Sequence, residues 1–442
     1  MNLIEDKISH ILIKQASVMV FGLLSVVIFN LADAFYVSKL GVDHLAALGY
    51  VLPIATFIMS LALGFGIGVT AYVGRKVGES GNSEVGTVIY YIFIWGVIFA
   101  VAINLLFIVF KNLIFNLFDI DADVLVLVEK YIDTWQWSII FIILPVVGNH
   151  ILRALGDVRS PFLNLFAASL INIILDPVFI FGWKFVPAFS IHGAAIASLI
   201  ARIIGFLICL YAIKKKVKIL SLRIDYTCFY ALIKNISHIW GPATVVLLLV
   251  PVGLTIITKL VSGYSVQAVA AFTISIRIQY FALTVYDALA SVLVPFISQN
   301  LGAKKYNRIA ESLVFSKNFA YLWGGSLFVL FILFGRPLVC LFSSSEEIVS
   351  LSVLYLKIVS LSYGLYGLMT ITVATFNAVK KPLLSAGLAL SSTFLISIPF
   401  LYIGSSFYNL QGIYVALFLA YATSGFIANC FLRGLIKKYQ YA

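Results

Sequence analysis

Twelve stretches of about 20 apolar residues follow one another along this chain, at 16–38, 48–73, 86–110, 131–152, 160–183, 192–213, 240–262, 270–300, 316–340, 351–376, 382–403 and 411–432. Nothing else in the sequence restricts the fold so strongly. Hydrocarbon offers no water to bond peptide groups, so a chain crossing it must satisfy its own backbone, as an α-helix does. The composition agrees: 62% of residues are hydrophobic and 11% are charged, against roughly 25% charge in a soluble domain. The first run is too long for a signal-peptide core and lacks a small-x-small cleavage site, so it is expected to be retained. An all-α integral membrane protein with twelve transmembrane helices is predicted.

The chain is also written twice. Gly41 with Leu45, Ala46 and Ala47 reappears as Gly263 with Val266, Ala268, Ala270 and Ala271, about 222 residues later. Tyr131 pairs with Tyr355, Pro161 with Pro382, Pro177 with Pro399 and Gly193 with Gly412, in nearly the same register. Six helices per half is an even number, so both halves enter the membrane in the same direction and form parallel repeats. The polar stretch Lys214–Asn235 separates them. The predicted organisation is a six-helix lobe over 1–213, a cytoplasmic linker over 214–235 and a second lobe over 236–442.

The net charge of +12 follows topology rather than a nucleic-acid partner. With both termini in the cytoplasm, the inner segments hold Arg75, Lys76, Arg153, Arg159, the Lys214–Lys234 group, Lys304, Lys305, Arg308, Lys380, Lys381, Lys437 and Lys438. Outer loops hold few cations, which is the positive-inside pattern of an inner membrane protein. The linker is expected to lie on anionic lipid. The segment Phe118-Asp119-Ile120-Asp121-Ala122-Asp123 lacks the Gly and distal Glu of an EF-hand, and its acids read as turn and helix N-terminal residues. The four cysteines have no metal-ligand spacing, and no GxxxxGK[ST] loop is present. ATP hydrolysis is thereby excluded, and energy for transport would come from an ion gradient; no cofactor is implied.

A carboxylate deep in a bilayer costs about 2.5–3.5 kcal/mol or more, so each one requires an explanation. Asp33, Asp176 and Asp287 are the three acids that lie well inside spans. Asp33 sits about 6–9 Å below the outer end of the first span, and Asp176 reaches similar depth in the fifth. Ser198 reaches it in the sixth. Asn172 and Asp176, spaced i, i+4, share one helical face, and Pro177 frees a carbonyl one turn back. Two carboxylates, an amide and a hydroxyl suit a hard monovalent cation or a shared proton. The repeat-related positions, Thr255 and Ile398, are not acidic, which argues against a purely architectural role. Arg202, at i+4 from Ser198, either pairs with Asp33 or Asp176 or lines a polar cavity.

Asp287 belongs to the second half alone. It could draw an organic cation, with Tyr280, Tyr286, Tyr363 and Tyr366 offering aromatic faces, or pair with Arg277 or be kept protonated by burial. The run Gly64-Phe65-Gly66-Ile67-Gly68 lies within a span and reads as a site of close helix packing. Pro242, Pro251, Pro382 and Pro399 mark expected kinks.

Asp33 followed by VSKLG and HLAALGY, LRALGDVRSP at 152–161, NIILDPVFIFG at 172–182, IHGAAIAS at 191–198 and PFISQNLGA at 295–303 together resemble the multidrug and toxic compound extrusion (MATE) family over essentially the whole chain. The resemblance implies two lobes forming a V and export by antiport against Na⁺ or H⁺. It also implies a cation site in the N-terminal lobe at Asp33, Asn172 and Asp176, which would be metal ligands under Na⁺ coupling. Ser198 stands where a Thr is usual, and Arg202 at a commonly uncharged position. The acids that the other branch uses in the seventh and tenth helices are missing. The expected function is export of amphipathic, cationic organic compounds by a monomer embedded in lipid. The alternative is a lipid-linked saccharide flippase of the same superfamily, which should place several cations in its cleft. A membrane-embedded transferase would need an acid–base cluster, for which His150 near Arg153 and Asp157 is the candidate.

Overall fold

The computed structural model describes residues 2–81, 85–116, 120–217 and 225–441, and all regular structure among them is helical. Phe118, Asp119, Lys218 and Arg223 lie outside the described residues. The first half comprises α1 (Ile8–Ser38), α2 (Val42–Ser80), α3 (Gly86–Asn116), α4 (Ala122–Trp135), α5 (Ser138–Ala154), α6 (Arg159–Phe181) and α7 (Ile191–Lys216). The second comprises α8 (Tyr226–Ser262), α9 (Val266–Gly302), α10 (Tyr306–Cys340), α11 (Glu346–Val359), α12 (Tyr363–Ala378), α13 (Pro382–Leu390) and α14 (Ile398–Gln440).

Ten helical runs are long and apolar enough to cross a bilayer, and α4 with α5, bent by 49° at a short break, makes an eleventh. The twelfth is inside the last run, Pro382–Gln440, whose 59 residues would extend about 90 Å as one rod. Tyr408 and Asn409 leave helical geometry there, and Gly404 and Gly412 meet backbone to backbone across the break. The run is therefore a hairpin of two spans. The break between α4 and α5 recurs about 224 residues later, where Ser360–Ser362 interrupts α11 and α12 with a 3₁₀ turn. Pro382 opens α13 rather than kinking it, a place where its missing N–H costs nothing.

Several helices outrun their apolar cores. α2 continues through Arg75, Lys76 and Glu79, with Lys76 and Glu79 paired at 2.8 Å. α8 begins at Tyr226, fourteen residues (240 − 226) before the apolar run that announces it. Hydropathy marks the hydrocarbon, whereas backbone hydrogen bonding carries a helix on into polar surroundings. Asp121 caps α4, its side chain accepting from the Asp123 N–H at 3.5 Å.

Packing divides the chain into two compact units, Val18–Trp240 and Met1–Ser17 with Gly241–Ala442. The cuts fall inside α1 and α8 about 223 residues apart, in the register of the repeat. The core of the Val18–Trp240 unit centres on Phe65, which stacks on Phe99 at 5.2 Å and meets the edges of Trp95 and Trp240. Gly66 packs directly on the ring of His150, and the His150 Nδ1 is hydrogen-bonded to Thr70 Oγ1 at 2.7 Å. The glycine run thus serves close packing. In the other unit, Asn300 and Arg308 hold the leading segment: Asn300 Nδ2 donates to Leu3 O at 3.1 Å, and Arg308 donates to Asp6 O at 2.6 Å.

Candidate functional site

The geometry begins with the turn between α6 and α7. Gly182 takes φ +81°, Trp183 and Val186 exchange backbone bonds of 3.0 and 2.8 Å, and Phe189 N donates to Phe179 O at 2.9 Å. Gly193 then lies against the Phe179 backbone, where a Cβ has no room. This tight hairpin sets Ser198 of α7 beside Asn172 of α6, about two turns down from the bend.

Asn172 bridges its neighbours. With its amide oriented to satisfy both sides, Nδ2 donates to Asp176 Oδ2 at 2.8 Å, while Oδ1 accepts from the Ser198 hydroxyl and backbone N–H, each at 3.2 Å. Asp176 is fully buried, and Asn172 and Ser198 nearly so. Asp33 of α1 is buried too, and its Oδ1 has no hydrogen-bond partner among the described residues. Asp33 and Asp176 act on one another electrostatically, and Arg202 acts on Asp33. The four residues singled out for a cation site are therefore in one place.

Arg202 does not take the paired position, one of the two open to it from sequence. No ion pair within 4.0 Å joins it to Asp33 or Asp176. Its guanidinium instead stacks on Trp135 at 5.8 Å from the ring centroid, and its buried Nη1 is unpartnered. The aromatic side of the site comes from α4. Tyr131 is buried within electrostatic reach of Asp33, Arg202 and Asp176, and Trp135 follows it at i+4 on the same face. Neither was singled out as functional from sequence, although Tyr131 marks the repeat; the available signal was its pairing with Tyr355 in the register of the duplication.

The second unit builds the related place without charge. Tyr355 donates to Gln279 Oε1 at 2.7 Å and Tyr363 to the same atom at 3.0 Å. Tyr363 is thus buried in the core, and so is Tyr286, whose hydroxyl donates to Ala320 O at 2.9 Å. Asp287 is exposed on its unit and unpaired with Arg277. Tyr280, 48% exposed, and Tyr366 are within its electrostatic reach. The structure places Tyr280 and Tyr366 within electrostatic reach of Asp287 and buries Tyr286 and Tyr363.

His150 is buried beside Thr70 and Arg153, whereas the Asp157 carboxylate is engaged elsewhere. It accepts from Ser160 Oγ at 2.6 Å and pairs with Lys216 at 3.1 Å. No acid–base cluster forms there. Among the described residues, no group of three His, Cys, Asp or Glu is placed to hold a metal ion.

Comparison with known proteins places the fold. The MatE family model matches the chain twice, over 19–178 and 242–403, one copy per half. The FAD transporter of Shewanella oneidensis is 30% identical over 416 residues, covering 94% of this chain and 92% of that protein. The multidrug export protein MepA of Staphylococcus saprophyticus is 24% identical over 404 residues, 91% of this chain and 88% of its own length. The crystal structure of the Vibrio cholerae MATE transporter VcmN in the bent form superposes with a TM-score of 0.90 at 26% identity, over 98% of this chain and 98% of that one. Two matched copies, full-length relatives that are transporters and a shared architecture make this chain a member of the MatE family, the MATE transporters.

Proposed function

We propose that this MATE protein is a secondary active multidrug efflux antiporter that exports amphipathic, cationic organic compounds in exchange for H⁺ or Na⁺. The observation that carries the reading is the presence of two buried acids, Asp33 and Asp176, within electrostatic reach of one another, with Asn172 joining Asp176 to Ser198 and Asp33 Oδ1 left unpartnered. Two buried acids near one another invite a cation, and a carboxylate oxygen kept dry without a partner is costly unless it is used. Asp33, Asn172, Asp176 and Ser198 form the coupling site, of the branch that keeps it in the N-terminal lobe, with Tyr131 against it. The coupling ion drives transport only through its different affinity for the two access states. Asp287 with Tyr280 and Tyr366 supplies an acid and aromatic faces for an organic cation. The protein acts as a monomer in the inner membrane, with both termini cytoplasmic and no cofactor.

A second reading is favoured by one relative. The Shewanella protein is named a FAD transporter, and a guanidinium stacked on an indole, as Arg202 is on Trp135, suits an anionic, aromatic dinucleotide. Cells expressing the protein separate the two. Faster ethidium efflux, reduced at least about tenfold by Asp287→Asn, supports the multidrug reading, a tenfold loss corresponding to about 1.4 kcal/mol. FAD accumulating in the medium, with ethidium efflux unchanged, supports the other.

A further inference from the structure

Packing within the Val18–Trp240 unit leaves a cavity that neither the coupling cluster nor the Asp287 face uses. It is a crevice of about 360 Å³ between α2 and α3, walled by Pro53, Phe57 and Leu61 on one helix and by Ile103, Phe107 and Ile114 on the other. Pro53 lies inside α2, where it has no N–H for the Gly49 carbonyl and bends the helix. Ile103 and Ile114 are eleven residues apart (114 − 103), so the crevice runs about 16 Å along α3. One leaflet of a bilayer's hydrocarbon is about 15 Å deep. The crevice is as long as one leaflet is thick.

The walls narrow the choice of occupant. Among the described residues, every one that lines the crevice is Pro, Ile, Leu or Phe. A drug-sized ligand is oriented by a few polar groups in its site, and these walls supply none. Helices meet one another in membranes through small residues that let backbones approach, whereas Phe57 and Phe107 hold a partner helix off. A hydrocarbon chain needs neither, and a volume at the low end of the roughly 300–1,000 Å³ of ligand pockets suits one chain. The rim adds charge. Lys111 follows Phe107 at i+4 and precedes Ile114 at i+3, which sets it beside the crevice. Its Nζ donates to Asp133 Oδ1 of α4 at 3.0 Å. The Asp133 side chain is 63% exposed, and a surface pair of this kind contributes at most about 1 kcal/mol, so it exchanges readily for a better match. A headgroup carrying adjacent phosphate and ammonium replaces both halves of the pair, phosphate on Lys111 and ammonium on Asp133. An anionic headgroup would meet the Asp133 charge unopposed, and a choline nitrogen has no N–H to donate.

We propose that the α2–α3 crevice is a lipid site: it takes one acyl chain of a phospholipid whose zwitterionic, primary-ammonium headgroup bridges Lys111 and Asp133. The site stands apart from the coupling reading. Its one printed link toward that cluster is Phe107, whose ring meets the edge of Trp135 at 6.2 Å.

Native mass spectrometry of the purified full chain tests it, after incubation with equal amounts of phosphatidylethanolamine, phosphatidylcholine and phosphatidylglycerol of identical acyl chains. The wild type is expected to retain one phosphatidylethanolamine, at least about fivefold over either competitor. Ile103→Trp, which fills the crevice, should lower that retention at least about fivefold. Asp133→Asn leaves the crevice open and its exposed surface unstrained, and should keep lipid binding while abolishing the headgroup preference. Equal retention of the three lipids by the wild type, or of none, overturns the proposal, as does undiminished retention by a monodisperse Ile103→Trp. Should Ile103→Trp fail to fold, Asp133→Asn decides: a preference that survives in it overturns the proposal. A dimer that Ile103→Trp dissociates would assign the crevice to a second copy of the chain and overturn the lipid assignment.

Discussion

Asn172 organises the candidate site more than either carboxylate does, because its single amide joins α6 to α7 and restrains Asp176. Asn172→Leu would leave Asp176 Oδ2 and Ser198 without their buried partner, at a cost of about 1–3 kcal/mol. The expected outcome is a lowered thermal midpoint together with lost coupled export, read by unfolding and efflux on the same preparation. Spacing and depth made Asp33, Asn172, Asp176 and Ser198 legible in the sequence, since i, i+4 spacing fixes a helical face and an intramembrane acid is rare. Arg202 was only half legible. Its face followed from Ser198, but a long side chain chooses its partner by what surrounds it, and here the partner is Trp135. Tyr131 and Trp135 were missed for a related reason: an aromatic residue in a membrane span ordinarily reads as packing. Tyr286 and Tyr363 show the converse, aromatic residues that read as facing a substrate but whose hydroxyls bond within the core.

At the level of elements, the two hairpins between the last helices of each half depend on close backbone approach. Gly193 lies on Phe179, and Gly412 on Gly404. Gly412→Val should force these helices apart and lower stability by about 1–3 kcal/mol, seen as an earlier thermal midpoint and a smaller monodisperse fraction. The start of α6 depends on Asp157, which accepts the Arg159 and Ser160 N–H groups at 3.0 and 3.2 Å. Burial opposes the charged form of this carboxyl, but the Ser160 hydroxyl and Lys216 outweigh it and hold it below its usual 3.8. A depressed folded value means that the stabilisation is present above the unfolded value and is lost as pH falls through the folded one. Asp157→Asn should therefore lower the midpoint at neutral pH, with the difference shrinking below about pH 4. Helix ends were the least legible part of the fold. Apolar runs located the spans, while the extensions of α2 and α8 and the π turn at Ser391–Ser397 depend on backbone bonding that hydropathy does not register.

For the molecule as a whole, duplication was the most legible feature, and it reaches further than expected. One family model matches each half of the chain, the helix break after Trp135 recurs at Ser360, and the division between units falls in the register of the repeat. Yet the halves diverge where chemistry is placed: a charged cluster around Tyr131 in one, and a neutral network around Tyr355 and Gln279 in the other. That asymmetry also favours assigning coupling to Asp33 and Asp176. The most direct test is efflux of an organic cation from proteoliposomes under separately imposed proton and sodium gradients, comparing the wild type with Asp33→Asn. The account predicts efflux driven by one of the two gradients and lost in Asp33→Asn, although that variant remains folded and monodisperse. Undiminished efflux by Asp33→Asn under both gradients would contradict it.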